Sequence, residues 1–144
     1  MQLSEHFTLE ELIESDEATR KGISNIPDIP TRVNLQRLAM KLEEVRALFN
    51  APISVSSGFR SNDLNKLVGG QLNSQHVYGC AADFRIKGFP IADVMRTIVE
   101  SDIKYDQLIM EYDRWIHISV PVYSQSHPRM QKLIIDNKGK RNYG

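Results

Sequence analysis

Apolar residues recur at helical spacing along two long stretches of the chain. Between Thr31 and Phe49 they fall every three or four residues with charged residues between them, and Pro90 to Ser101 shows the same pattern behind an initial proline. Both stretches are typical of amphipathic helices that bury one face. Thr8 and Glu11 form a capping-box pattern, which predicts a short helix to about Asp16.

Alternating apolar and polar residues predict four strands, at 53–57, 81–86, 107–112 and 115–120. The last two are separated only by a short polar break and form a candidate hairpin. A short helix over 61–68 is expected to end at the following glycine pair. Helices early and an antiparallel hairpin late indicate an α+β fold, a small single domain over 1–144 with an antiparallel sheet flanked by helices. Residues 137–144 are basic and polar, so a flexible tail is expected there.

Composition excludes several functional classes. The chain has 144 residues, enough for one domain, and its 18 Lys and Arg balance 18 Asp and Glu. A formal net charge of zero gives no field that would steer the protein to nucleic acid or anionic lipid. No apolar run approaches the roughly 20 residues of a membrane span, and the opening residues lack the features of a signal peptide. We therefore expect a monomer made in the cytoplasm, without disulfides because Cys80 is the only cysteine.

Two histidines and one aspartate are the candidate metal ligands. His76 lies in a polar loop, Asp83 lies in the following strand, and His117 is a single imidazole in an apolar strand. One histidine beside a strand is more often a hydrogen-bonded structural residue than a ligand. The second histidine changes this balance, because an imidazole buried among apolar residues needs a partner and a metal ion is one.

The motifs around these residues resemble those of a known family. His-x-x-Gly-x-Ala-x-Asp at 76–83, followed by Trp-x-His at 115–117, is similar to the M15 family of zinc D,D-peptidases and L-alanyl-D-glutamate endopeptidases. The segment 57–60 matches the family's Ser-Gly-aromatic-Arg motif, and Ser74 stands two residues before the first histidine, as in its Ser-x-His motif. The resemblance covers about residues 4–123 and is closest to the phage and prophage branch, which includes endolysins.

This resemblance implies a fold, a cofactor and an activity. One zinc ion would be held by His76, Asp83 and His117, with water in the fourth position, in a fold like that of hedgehog domains and D,D-peptidases. The substrate would be the stem peptide of peptidoglycan, cut by an endopeptidase or by a D-alanyl-D-alanine carboxypeptidase during phage-type lysis of the cell wall. Arg60 would bind a carboxylate or carbonyl oxygen of the substrate. Ser74 and Trp115 are further candidate substrate contacts, although Trp115 is equally well explained as a core residue.

The general base is harder to assign. Many family members carry a carboxylate three residues before the last histidine, where this chain has Arg114, so Glu111 and Asp113 are the available candidates. Hedgehog domains carry a glutamate six residues before that histidine, the offset of Glu111. A three-residue hairpin loop would pair Glu111 with Trp115 and place it on the face of His117, whereas a two-residue loop would turn it away. We prefer Glu111.

A binding module with a structural zinc ion is the alternative to an enzyme. Structural zinc sites are closed by a fourth protein ligand. No fourth histidine or cysteine lies near the motifs, which favours the enzyme. Such an enzyme would reach the bacterial wall, in the periplasm or outside the cell, after release at lysis or carriage on a particle.

Overall fold

Six strands form one sheet, described together with the rest of residues 1–144 in a computed structural model. The strands are β1 (Ile53–Ser57), β2 (Ala81–Ile86), β3 (Gln107–Glu111), β4 (Trp115–Ser119), β5 (Gln131–Asp136) and β6 (Gly139–Asn142). Their order in the sheet is β1-β2-β4-β3-β5-β6, and all neighbours are antiparallel except β3 and β5. The predicted α+β fold with a mainly antiparallel sheet is confirmed.

Five helices and a single 3₁₀ turn complete the fold. The helices are α1 (Leu9–Ile13), α2 (Asp16–Lys21), α3 (Ile29–Phe49), α4 (Asn62–Leu67) and α5 (Ile91–Val99), and the 3₁₀ turn spans Gln75–Tyr78. Helix α3 begins two residues before its predicted start because Asp28 caps it, accepting the Thr31 N–H at 2.9 Å, and Pro30 fits the first turn. Helix α2 was not predicted, since it buries only Ala18. None of the helices combines the length and the apolar character needed to cross a membrane.

The two faces of the sheet have different roles. Helices α3 and α5 pack on one face, against apolar residues of β2, β3 and β4 that include Phe84, Leu108 and Ile116. Because side chains alternate along a strand, the intervening residues Asp83, Glu111 and His117 lie on the opposite face. The apolar core therefore supports a polar cluster on the far side of the same three strands.

The C-terminal residues 137–144, where a flexible tail is expected from the sequence, contain secondary structure. They form a turn and β6, which pairs with β5 from Leu133 to Asp136. Arg141 donates two hydrogen bonds to the Asp136 carboxylate, at 2.9 and 2.8 Å. The sequence of β6 has no apolar residue, so periodicity could not predict a strand that is held to β5 mainly by backbone hydrogen bonds.

Asp106, just before β3, joins three segments of the chain. Its carboxylate accepts a hydrogen bond from Gln75 Nε2 at 2.9 Å, one from the Arg129 backbone N–H at 3.0 Å and one from Arg129 Nη2 at 2.7 Å. Burial alone would raise the pKa of Asp106, but these hydrogen bonds hold it below its ordinary value. The ionised carboxylate thus connects the 3₁₀ turn to the segment that leads into β5.

We expect Asp106→Asn to lower the free energy of unfolding at pH 7 by about 2 kcal/mol, because it removes a charged acceptor of several hydrogen bonds. A carboxyl group with a lowered folded pKa stabilises above its unfolded pKa of about 4, and this contribution is lost as the pH falls through the folded value. The difference between variant and wild type should therefore shrink in acid, which denaturant titrations at pH 7 and pH 3 would measure. Asp136→Asn, in the exposed pair with Arg141, is the control and should change stability much less. Equal losses in the two variants, or a difference independent of pH, would contradict this role.

Candidate metal centre

The 3₁₀ turn places His76 against the sheet. Ser74 Oγ accepts the His76 N–H at 3.2 Å and begins the turn, and Gly79, with a φ of 74°, ends it. A side chain at Gly79 would lie 2.9 Å from Thr31 of α3, so only glycine fits at this position. The His76 ring is only 2% exposed. The Ser74 oxygen is engaged with the turn, and its contact with substrate stays a prediction.

Asp83 and His117 are direct neighbours across β2 and β4. Asp83 Oδ1 lies 3.0 Å from His117 Nδ1 and 3.3 Å from His76 Nε2. The centroids of the two imidazole rings are 5.1 Å apart. The possible ligand atoms of the three residues all lie within 4.8 Å of one another, so the fold brings together the histidines and the aspartate that the sequence singled out.

The hydrogen bonding of His76 fits a bound cation. Its Nδ1 lies 2.7 Å from the Gly58 carbonyl oxygen, which can only accept, so Nδ1 carries the proton and Nε2 presents a lone pair. In this tautomer the lone pair faces Asp83 Oδ1, also an acceptor, at 3.3 Å, and a cation bound between the two atoms would satisfy both. Two imidazole nitrogens and one carboxylate oxygen form a donor set suited to zinc, and the Gly58 carbonyl fixes the tautomer that binds it.

Charge and burial act in opposite directions on these groups. Burial lowers the pKa of His76, and the neighbouring Asp83 carboxylate opposes this shift. Burial alone would raise the pKa of the Asp83 carboxyl group, but the two neighbouring imidazoles hold this pKa below its ordinary value. The carboxylate is therefore ionised, as a metal ligand must be.

The hairpin between β3 and β4 has a loop of three residues, Tyr112 to Arg114, and pairs Glu111 with Trp115. Glu111 consequently lies on the face of His117, and its Oε2 is 4.0 Å from His117 Nδ1. The same oxygen accepts a hydrogen bond from Trp115 Nε1 at 3.2 Å. Burial, and then the charge of Asp83, raise the pKa of Glu111. This carboxylate therefore borders the three candidate ligands.

Asp113 and Trp115 occupy different places from Glu111. Asp113 lies in the exposed hairpin turn with a φ of 53°, and the structure does not bring it to the ligands. The Trp115 ring is partly buried and packs against Tyr112, with ring centroids 5.8 Å apart, outside the helix-packed core. Trp115 thus orients Glu111 through its N–H group, and its contact with substrate stays a prediction.

Arg60 follows β1 and lines a cavity of about 210 Å³ together with Ser57 and Asp83. Its Nε is buried without a hydrogen-bond partner, and its guanidinium makes no ion pair. Burial lowers the pKa of Arg60, and the charges of Asp83 and Glu111 oppose the shift. Because buried polar groups are almost always paired, an arginine at a cavity whose Nε lacks a partner indicates a site for an acceptor on a ligand.

The Gly58 carbonyl that contacts His76 could not be identified from the sequence, since backbone atoms carry no signature in a motif. The glycine itself is the only signal. Its amide neighbour Phe59 donates to the Leu12 carbonyl at 2.8 Å, and a side chain at Gly58 would overlap that same carbonyl. Glycine thus allows the close approach of α1 that holds the carbonyl in place.

Two comparisons with known proteins agree with this geometry. Residues 5–119 match the family model described as Peptidase M15, a range that contains every candidate site residue. The zinc D-Ala-D-Ala carboxypeptidase of Streptomyces albus G is 47% identical to this chain over 53 residues. That alignment covers 36% of this chain and 21% of the relative, so the chain spans about a fifth of the length of the curated relative that it matches.

Proposed function

Because the chain belongs to the peptidase M15 family, we propose that it is a zinc-dependent peptidase that hydrolyses a bond in the stem peptide of peptidoglycan. The observation that carries this proposal is the cluster of His76, Asp83 and His117, whose ligand atoms lie within 4.8 Å of one another. The Streptomyces relative is a zinc D-Ala-D-Ala carboxypeptidase, which supports this substrate class. Resemblance to the phage and prophage branch supports a role in lysis of the wall.

Each residue of the site has a separate role in the proposed reaction. When bound by His76, Asp83 and His117, zinc supplies a Lewis acid that polarises the scissile carbonyl and lowers the pKa of water. Glu111 accepts a proton from the attacking water and delivers it to the leaving amine, for which its place beside His117 suits it. Arg60, which lines the cavity beside Asp83, uses its guanidinium to hold a carboxylate or carbonyl oxygen of the substrate.

The supply of ligands favours a catalytic over a structural zinc ion. The remaining histidines, His6 and His127, are exposed, and the candidate cluster includes neither. Cys80 is buried, with its Sγ 3.7 Å from Arg37 Nη2, and it is not part of the cluster either. Three protein ligands leave the open position that a hydrolytic zinc site requires, whereas a structural site would need four.

The test is to incubate zinc-loaded and chelator-stripped protein with purified peptidoglycan and to identify the fragments by mass spectrometry. Zinc-dependent release of free D-alanine would identify a carboxypeptidase, and new amino termini inside the stem peptide would identify an endopeptidase. Walls with different third residues in the stem peptide should be compared, because pocket shape sets specificity. Tight zinc binding without cleavage of any wall would leave the binding module as the function.

A further inference from the structure

We propose that Asn25 is a positioning residue for Arg60, a role that rests on the proposed function and takes a substrate carboxylate as the group that Arg60 binds. Asn25 lies in the loop between α2 and α3, and only 8% of it is exposed. Its side chain donates to the Phe59 carbonyl at 3.0 Å and accepts the Ser61 N–H at 2.7 Å. One amide group thus binds the residues on both sides of Arg60.

Both peptide units that flank Arg60 are held by this amide. The segment from Phe59 to Ser61 lies beyond the end of β1 and before α4, so no ladder of backbone hydrogen bonds holds it there. The Arg60 N–H donates to the His76 carbonyl at 3.1 Å. Asn25 and His76 together fix the backbone of Arg60. The Arg60 Nε has no hydrogen-bond partner in the protein, so the position of the guanidinium depends on this backbone support.

The chemistry of the amide is specific to asparagine. Besides the Phe59 carbonyl, Nδ2 also binds the Ile13 carbonyl at 2.7 Å, so the side chain uses two donors and one acceptor. Aspartate keeps the acceptor for Ser61 but places an oxygen against two carbonyls, and leucine removes all three hydrogen bonds. Either substitution leaves buried polar groups around Arg60 without partners.

A displaced guanidinium binds a carboxylate less well, because the bidentate hydrogen bonds depend on geometry. A misplacement near 1 Å can lower the reaction rate by about 100-fold. Asn25 touches none of the three candidate metal ligands. Its loss should therefore impair substrate binding much more than zinc binding. A residue that served only global stability would affect both or neither.

The experiment compares zinc-loaded Asn25→Asp and Asn25→Leu with wild type, with Arg60→Lys, and with Leu38→Ala as a destabilised control from the core. Leu38 is fully buried in α3 as part of the hydrophobic core, and it is not one of the candidate site residues. The substrates are a stem peptide with a free carboxylate and the same peptide with that carboxylate amidated. For Asn25→Asp and Asn25→Leu we expect kcat/KM on the free carboxylate to fall about 10- to 100-fold, mainly through KM, with a much smaller change in the Kd for zinc. Preference for the free carboxylate should fall in these variants and in Arg60→Lys, and persist in Leu38→Ala.

A second readout does not depend on cleavage. In NMR spectra of the zinc-loaded protein, the Ser61 amide should lose protection from hydrogen exchange in Asn25→Leu, and the Arg60 Nε–H resonance should broaden. Leu38→Ala should retain both signals. Unchanged signals in Asn25→Leu, or kinetic losses no greater than in Leu38→Ala, would overturn the positioning role. A wild type that cleaves no peptide overturns the proposed function instead, and the NMR comparison still decides the role of Asn25.

Discussion

Glu111→Gln should lower kcat by about 100- to 10,000-fold, the range expected for loss of a general base, and should leave zinc affinity nearly unchanged. Glutamine keeps the shape of the side chain and can still accept the Trp115 Nε1 hydrogen bond, but it cannot take a proton. Single-turnover cleavage of peptidoglycan fragments, with zinc content measured on the same samples, would test this. The loss should appear in kcat rather than KM, because the proton transfer occurs in the transition state.

Asp113→Asn is the matched control for this experiment. It makes the same change of charge two residues further along the hairpin, in the exposed turn that does not approach the ligands. We expect activity within about twofold of wild type, as for most surface substitutions. A large loss in Asp113→Asn with a small one in Glu111→Gln would reverse the assignment of the base.

The choice between these two carboxylates shows where sequence reasoning reaches its limit. From the sequence, Glu111 lies on the face of His117 if the hairpin loop has three residues, and on the opposite face if the loop has two. In the structure Tyr112 and Asp113 both adopt positive φ angles, and the Tyr112 N–H donates to the Ile135 carbonyl of β5 at 2.8 Å. The partner that holds the loop is thus a strand that the sequence did not predict.

The cluster of candidate metal ligands could be predicted because its parts depend on short motifs. His76 and Asp83 are seven residues apart, and the register that pairs Asp83 with His117 puts both on one face of the sheet. Asn25 is different, since its partners Phe59 and Ser61 are more than thirty residues away and two of its three hydrogen bonds go to backbone carbonyls. A loop asparagine carries no periodic signal, and only the folded chain reveals which backbone groups lack partners.

Asp83→Ala should weaken zinc binding by more than the roughly 10- to 100-fold typical of lost outer-shell partners, because Asp83 is itself a proposed ligand and its oxygen faces both imidazoles. Competition with a chromogenic chelator would measure the Kd. Zinc should also raise the Tm of the wild type, since a ligand that binds only the folded state stabilises it by mass action, and this rise should vanish in the variant.

Arg85→Ala separates loss of a ligand from damage to the strand. Arg85 lies two residues along β2 on the same face as Asp83, is exposed, and binds the Arg114 carbonyl through Nε at 2.6 Å. Its removal should leave the zinc Kd and the zinc-dependent rise in Tm unchanged. If both variants lost zinc equally, β2 would matter only as a support, and the role of Asp83 as a ligand would be wrong. If only Asp83→Ala loses zinc, the carboxylate shared by two histidines is what makes this face of the sheet a metal site.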